Sequence, residues 1–234
     1  MKKLCLTAAI LMTAAASMAQ DHLPPVFGAD TALFRKDIMT RSYMTPKKIL
    51  WTSSATAVQN AELLLKPNTG QADIFGEGMC RLTNNGNDQA SLILDFGHEL
   101  HGGFKLVISS CSPLQTPQVR LRFGESVSET CTELNTTKSI AETGSKADVN
   151  LKANTATNDH AIRDMVLTVP FYGQMEVGST GYRFVRIDLL TPGQTINLKE
   201  ATAILRYRDI PYVGSFRCSD QRLNDIWMTG AYTV

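Results

Sequence analysis

Short apolar segments separated by glycine and proline turns fill the middle of the sequence, from Ala55 to Tyr207. The clearest of them is 119–123, in which Val119, Leu121 and Phe123 alternate with two arginines. Successive side chains of a β-strand point to opposite faces, so this alternation predicts a strand with one apolar and one polar face. The series of such segments predicts a mainly β fold, an antiparallel β-sandwich of about 150 residues.

Turn residues separate the remaining apolar segments. An NNGN cluster at 84–87 precedes one of them, and the glycine-rich stretch 97–103 lies between two others. Such residues favour chain reversals, so each segment is expected to be a separate strand. Two segments do not follow this pattern: 20–45 is an irregular lead-in, and 129–158 is too polar for a core and is expected to be a surface excursion. The other predicted strands are Lys47–Trp51, Ser91–Phe96, Phe104–Ser109, Met165–Phe171, Tyr182–Leu190, Ile196–Leu198 and Ala201–Tyr207.

The periodicity changes at the end of the sequence. After Ser219 and Asp220, which are typical of a helix N-terminus, apolar residues recur at the spacing of one helical face. This stripe predicts a helix that packs on an apolar surface, either of its own domain or of a further one. No C-terminal capping signal follows, so the chain is expected to be the N-terminal portion of a larger protein. The stripe consists of Leu223, Ile226, Trp227, Gly230, Ala231 and Val234.

The first 19 residues have the three parts of a secretory signal peptide. Lys2 and Lys3 give a positive start, 4–16 is an apolar run too short to span a bilayer, and Ser-Met-Ala at 17–19 is a small-x-small cleavage site. Cleavage after Ala19 leaves 215 of the 234 residues. The protein is therefore expected to be exported, to the periplasm or out of the cell.

The exported chain is close to neutral. It has 21 basic and 22 acidic residues once the two lysines of the signal peptide are removed, and 19% of the whole sequence is charged. Proteins that bind nucleic acids or anionic membranes usually carry a strong basic excess. Neither nucleic acid nor a membrane is therefore expected as a partner.

Four cysteines remain after processing: Cys80, Cys111, Cys131 and Cys218. An oxidising compartment would allow three disulfide pairings among them, and buried free thiols are an equal alternative. Their spacing contains no C-x-x-C pair, so no structural zinc is expected. The HELH sequence at 98–101 separates its histidines by two residues, which differs from the helical spacing of zinc proteases. We therefore expect neither a metal nor a cofactor.

The densest polar group in the sequence comprises Asn158, Asp159, His160, Arg163 and Asp164. Amide, carboxylate, imidazole and guanidinium groups are those that bind sugar hydroxyls. The structural alternative is a loop in which the Asn and Asp side chains cap local turns and Arg163 pairs with Asp164 or Asp159. These five residues are the predicted substrate-binding candidates.

Glu125 and Glu129 follow a predicted strand and are a weaker candidate for sugar contact, since loop carboxylates are usually only solvated. Aromatic side chains can also stack on sugars, but Phe, Trp and Tyr make up only 7% of the sequence. Phe171, Tyr172, Tyr182 and Phe184 lie within or beside predicted strands, where core packing is expected. Few exposed aromatic side chains are therefore expected.

Five segments lie in order along the exported chain: DFGHELHGGF (95–104), LRFGESVSE (121–129), TNDHAIRD (157–164), TGYRFVRIDLL (180–190) and GSFRCSDQRLNDIW (214–227). Taken together, they resemble the N-terminal portion of bacterial α-L-rhamnosidases of glycoside hydrolase family 78. The family's Gly-Trp pair is here Gly103-Phe104, at the end of the first segment, a conservative departure. The resemblance covers nearly the whole exported chain.

The resemblance implies a jelly-roll or galactose-binding-like accessory β-sandwich that leads into the first helix of an (α/α)6 catalytic barrel. It divides the chain into a signal peptide (1–19), a lead-in with a first strand (20–54), the sandwich (55–212), and a linker with the first helix of the barrel (213–234). In this interpretation the chain is a fragment, a truncated reading frame or a stand-alone descendant of the sandwich.

The family's general acid and base are carboxylates on the barrel, so the resemblance places no catalytic residue in this chain. The complete protein would hydrolyse terminal α-L-rhamnosides with inversion, and this chain alone is expected to be inactive. Its implied partners are a rhamnose-containing glycan and the barrel of the same polypeptide. Two alternatives remain: a stand-alone, lectin-like carbohydrate-binding module, and a structural periplasmic protein.

Overall fold

The computed structural model of the protein describes residues 39–73, 77–131 and 163–233. All of them belong to a unit that spans residues 38–234. The predicted signal peptide, most of the predicted lead-in and nearly all of the predicted surface excursion lie outside the described residues.

Strands make up most of the described chain. The strands are β1 (Met39–Met44), β2 (Lys48–Thr52), β3 (Val58–Gln59), β4 (Cys80–Asn84), β5 (Ser91–Ser112), β6 (Gln118–Gly124), β7 (Asp164–Thr168), β8 (Gly173–Leu189) and β9 (Gln194–Arg208). The helices of the described residues are a 3-10 helix (Ala61–Leu65), α1 (Val127–Cys131) and α2 (Gln221–Thr233).

The strands form two antiparallel layers that share their longest members. In the first layer, β1 and β4 pair with successive parts of β9, β3 pairs with β4, and the other edge of β9 pairs with residues 102–112 of β5. In the second layer, residues 91–95 of β5 lie between β2 and residues 184–188 of β8, and β6 and β7 follow. This arrangement confirms the predicted antiparallel β-sandwich.

β5 is one continuous strand, Ser91–Ser112, where two strands and a loop were predicted. Its pairing with β8 shifts register between Asp95 and Leu100, and the strand passes there from the second layer to the first. Gly97 (φ 86°) and Gly102 (φ 153°) adopt backbone angles that residues other than glycine rarely adopt. The glycines therefore bend the strand and do not end it. The predicted strands 196–198 and 201–207 are likewise joined, in β9.

β1 corrects the prediction that 20–45 is irregular throughout. It pairs with β9 from Met39 opposite Arg208 to Met44 opposite Ala203. The sequence MTRSYM has no regular alternation of apolar and polar residues, and its side chains are exposed or half-buried. Residues 39–44 form a strand because they pair with an edge of β9 that is distant in sequence. The local sequence pattern could therefore not predict it.

The core lies between the layers and contains side chains from both. The rings of Phe104, from the first layer, and Phe123, from the second, meet edge to face with their centroids 6.0 Å apart. Tyr182 packs edge to face against Phe96 and Phe123, at 6.0 and 5.0 Å. Its hydroxyl donates a hydrogen bond to the Gly103 carbonyl oxygen, so its one polar atom is satisfied in the interior. The predicted inward face of β6 is also confirmed, since its three apolar residues are buried.

The four cysteines of the described residues are free thiols. Cys80 and Cys111 are buried, and burial raises the pKa of Cys80 to about 12 and that of Cys111 to about 11. A thiol with a raised pKa stays protonated at neutral pH and reacts slowly. Of the two possibilities that the sequence leaves open, the structure has free thiols.

α2 is the longest helix of the described residues and confirms the predicted C-terminal helix. Asp220 caps it, because its Oδ1 accepts a hydrogen bond from the Arg222 backbone nitrogen at 2.9 Å. None of the described side chains of α2 is buried, and Leu223 and Ile226 are 48% and 59% exposed. The sandwich thus leaves Leu223 and Ile226 of the stripe largely uncovered, whereas Trp227 and Ala231 are half-buried. Among the described residues, no helix combines the length and apolarity that crossing a membrane requires.

Candidate functional site

Arg163 immediately precedes β7, and its guanidinium lies against two carboxylates that follow β6. Nη2 of Arg163 is 2.9 Å from Oε1 of Glu125, and Nη1 is 3.4 Å from Oε2 of Glu129. The side chain of Arg163 is 24% exposed and that of Glu125 is 46% exposed. The group is therefore accessible to a ligand, but its members are held by one another.

The turn between β6 and α1 fixes the position of Glu129. This residue lies in the first turn of α1, and its Oε2 accepts a hydrogen bond from the Glu125 backbone nitrogen at 3.0 Å. Such a reach-back contact satisfies a backbone donor near a helix N-terminus. Glu129 is thus held by the backbone and by Arg163, whereas Glu125 is held at its carboxylate by Arg163 and is the more exposed of the two.

A third carboxylate, from the bend of β5, approaches the same place. A Cβ atom at Gly181 would lie 3.6 Å from Oε1 of Glu99 and 3.9 Å from Oε1 of Glu125. These two carboxylates therefore converge on one position of β8, and the glycine leaves the space between them open. We refer to Arg163, Glu125, Glu129 and Glu99 as the Arg163 cluster.

The C-terminal end of α2 contacts the bend beside this cluster. The hydroxyl of Tyr232 donates a hydrogen bond of 2.5 Å to the Glu99 carbonyl oxygen. Burial raises the pKa of Tyr232, and the negative charge of Glu99 adds to the effect. The last turn of α2 and the Arg163 cluster are therefore neighbours.

An ion pair between a buried aspartate and a partly exposed arginine fixes the bend on its other side. Nε and Nη2 of Arg183 donate hydrogen bonds to the two carboxylate oxygens of Asp95, at 2.8 and 3.0 Å. Asp95 also accepts a hydrogen bond from the Gly97 backbone nitrogen at 2.7 Å. The hydrogen bonds from Arg183 outweigh the effect of burial and lower the pKa of Asp95 below its ordinary value. This contact holds the start of the segment that presents Glu99.

The structure separates the two described members of the predicted substrate-binding group. Arg163 contacts Glu125 and Glu129, whereas both carboxylate oxygens of Asp164 accept hydrogen bonds from Arg120, at 2.7 and 2.6 Å. Asp164 is only 6% exposed. Arg163 is thus placed where a ligand could reach it, and Asp164 is engaged across the strand pair of β6 and β7.

The other three members of the predicted group, Asn158, Asp159 and His160, lie outside the described residues. Their contact with a sugar stays a prediction. The described residues contain no group of three Asp, Glu, His or Cys side chains that could hold a metal ion. The Arg163 cluster offers carboxylate acceptors and a guanidinium donor, which together match hydroxyl groups that both donate and accept.

No protein-family model matches the sequence, and no curated protein sequence matches it either. Among solved structures, the chain is similar to a rhamnosidase from Klebsiella oxytoca with rhamnose bound, with a TM-score of 0.52 and 14% identity. The match covers 80% of this chain and 33% of that one, so the chain spans about a third of that rhamnosidase. The two share a fold.

Two further solved structures have lower scores. A rhamnosidase of the GH78 family from Bacillus sp. GL1 matches with a TM-score of 0.44 and 15% identity, over 70% of this chain and 14% of that one. A fucolectin from the serum of striped bass, Morone saxatilis, matches with a TM-score of 0.39 and 12% identity, over 72% of this chain and 46% of that one.

The sequence indicates Arg163, Glu125 and Glu129 as separate candidates and does not group them. Glu99 belongs there only to the HELH sequence. Arg163 is 38 residues from Glu125 in sequence, and only the pairing of β6 with β7 brings them together. One sequence signal for this site is the alternation of apolar and polar residues in β6. It predicts where the strand ends, and Glu125 and Glu129 follow that end.

Proposed function

We propose that this chain is a non-catalytic domain of a secreted glycoside hydrolase of the α-L-rhamnosidase type, where it supports an α-helical catalytic barrel. The observation that carries the proposal is α2, a helix with an apolar stripe and no buried side chain among its described residues. It follows a sandwich with the fold of part of a rhamnosidase, which supports the proposal.

The segment before α2 supports the same conclusion. It leaves β9 at Arg208 and carries apolar side chains that are exposed, among them Tyr212 at 68%, Val213 at 97% and Phe216 at 44%. Exposed apolar side chains that lie so close together in sequence favour an interaction site. In our proposal the barrel covers this segment and the stripe of α2, and it supplies the two catalytic carboxylates about 6.5–9.5 Å apart for an inverting reaction.

The Arg163 cluster gives the sandwich a role next to the barrel. Because Tyr232 joins the end of α2 to Glu99, a barrel packed on α2 would lie beside these charged groups. We infer that the cluster hydrogen-bonds hydroxyls of a rhamnose-containing glycan near the barrel entrance. We also propose that a signal peptide ending near Ala19 directs the protein to the periplasm or out of the cell.

The DNA sequence after codon 234 tests the proposal. An open frame that encodes an α-helical domain with paired carboxylates supports it, and a stop codon directly after Val234 contradicts it. A second test incubates purified 20–234 with an aryl α-L-rhamnoside. We expect no turnover above buffer, and turnover that disappears in Glu125→Ala would show a catalytic site on the sandwich itself.

A further inference from the structure

A cavity lies on the outer side of the first layer, away from the Arg163 cluster. Its volume is about 210 Å³, and it is lined by residues of β1, β5 and β9 and by the loop 67–70. The lining includes one aromatic side chain, Tyr43, and two charged ones, Lys105 and Glu200.

Two buried charged side chains line the cavity without contacting each other as an ion pair. Lys105 is 8% exposed, and its Nζ donates a hydrogen bond of 3.1 Å to the Gly70 carbonyl oxygen. Glu200 is 5% exposed, and its Oε1 accepts a hydrogen bond of 2.5 Å from the Gly70 backbone nitrogen. An ammonium has three donors and a carboxylate about four acceptor sites, so both groups keep capacity for a ligand.

Tyr43 provides an apolar wall beside these charges. Its side chain is 52% exposed, and Nζ of Lys105 lies 4.9 Å from the ring centroid. Its hydroxyl donates a hydrogen bond of 2.7 Å to Glu176, which also pairs with Arg41 at 2.5 Å. The ring is therefore held in one orientation while half of it stays accessible.

The two buried charges of the lining, Lys105 and Glu200, balance each other. Lys199 adds one positive charge at the exposed rim, where its Nζ donates a hydrogen bond of 3.4 Å to Oγ1 of Thr69. The interior of the cavity therefore has no excess charge to select an anion or a cation. Thr202 also lines the cavity, and its Oγ1 has no hydrogen-bond partner among the described residues. A small cavity with unused donors, unused acceptors and an aromatic wall suits a neutral ligand rich in hydroxyl groups.

We propose that this cavity is a binding site for a single neutral pyranose ring, whose hydroxyls accept from Lys105 and donate to Glu200 while its C–H groups contact Tyr43. The site is small, so binding is expected to be weak, with a Kd of about 1 mM for a ligand of about 12 non-hydrogen atoms. This inference rests on the cavity alone and is independent of the proposed barrel.

Amide NMR spectra of ¹⁵N-labelled 20–234 test the proposal, because the Gly70 amide donates directly to Glu200 and reports on the site. The probes are methyl pyranosides of L-rhamnose, D-galactose and D-glucose, with methyl glucuronide as an anionic comparison. We expect at least one neutral pyranoside to shift the Gly70 resonance with saturation. A shift caused by the glucuronide alone would overturn the proposal, as would no shift from any probe up to its solubility.

Two variants and a matched control locate the binding. Tyr43→Ala and Lys105→Met should each weaken the binding about tenfold or more, because one removes the wall and the other a donor. Phe171→Ala removes an exposed aromatic residue (48% exposed) that does not line the cavity, and it should bind like the parent. Equal binding by all four proteins would place the sugar elsewhere and overturn the proposal. Tyr43→Phe keeps the ring and should retain most of the affinity, which separates loss of the wall from loss of folding.

Discussion

Arg122 and Asp188 form an ion pair that is almost entirely shielded from solvent. Nη2 of Arg122 lies 2.7 Å from Oδ2 of Asp188, and both side chains are 3% exposed. Oδ1 of Asp188 accepts a second hydrogen bond, from Nε of Arg186 at 2.8 Å. The aspartate thus joins β6 and β8 in the second layer. Its negative charge neutralises the buried guanidinium of Arg122.

Asp188→Ala should lower the free energy of unfolding by about 3 kcal/mol, because removing one partner leaves buried positive charge without its counter-ion. Urea unfolding followed by circular dichroism measures the change. Glu176→Ala is the matched control, since its pair with Arg41 has side chains that are 33% and 43% exposed and should contribute about 0–1 kcal/mol. Equal losses in the two variants would contradict this prediction.

The stability should fall in acid. Burial acts to raise the pKa of Asp188, but the hydrogen bonds from Ser91, Arg186 and Arg122 and the charge of Arg122 outweigh it, so the pKa is lower than usual. A carboxylate whose pKa is lowered by folding contributes stability above its unfolded pKa of about 3.9, and this contribution disappears as the pH falls through the folded value. Urea midpoints should therefore drop below about pH 4, and the drop should be smaller in Asp188→Ala than in the parent.

The bend of β5 depends on a close approach to β9 at Gly102. A Cβ atom at this position would lie 1.8 Å from the Ile204 carbonyl oxygen, and φ is 153°. Gly102→Ala should therefore lower the free energy of unfolding by about 3 kcal/mol or more, since the backbone of β9 would have to move. Gly86→Ala is the control: its φ of 93° is also unfavourable, but nothing lies within 4 Å, so about 1–2 kcal/mol is expected.

Gly102 also shows why the sequence predicted the layers but not the strand boundaries. The alternation of Val119, Leu121 and Phe123 predicts β6 because a local period decides which face is buried. The glycines at 97–103 carry the same local signal whether the chain turns back or bends and continues. Only the pairing of β5 with β8 and β9, which lie more than 60 residues further along the chain, decides between these outcomes.

The candidate sites were predictable in their residue types and not in their grouping. Arg163 stood out because it lies in a dense polar stretch, but its described partners are Glu125 and Glu129, far away in sequence. The cavity beside Tyr43 needs β1, β5, β9 and the loop 67–70 together. No motif marks such a place, because no strand contributes more than two of the lining residues and the loop that completes the cavity is distant from them in sequence.

The apolar stripe of α2 should contribute little to the stability of the sandwich, although its residues are as hydrophobic as those of the core. Leu223 and Ile226 are about half exposed, so the double variant Leu223→Ser/Ile226→Ser should change the free energy of unfolding by less than about 1 kcal/mol. Leu94→Ala is the comparison, because Leu94 is fully buried and its truncation should cost about 2–5 kcal/mol.

The same double variant should reduce self-association and the binding of a hydrophobic dye, since an exposed apolar stripe favours both. Sedimentation velocity and dye fluorescence of 20–234 measure these properties in parent and variant. A loss of stability comparable to that of Leu94→Ala would mean that α2 packs on its own sandwich in solution. That result would remove the main support for the proposed barrel interface, because the stripe would then already have its partner.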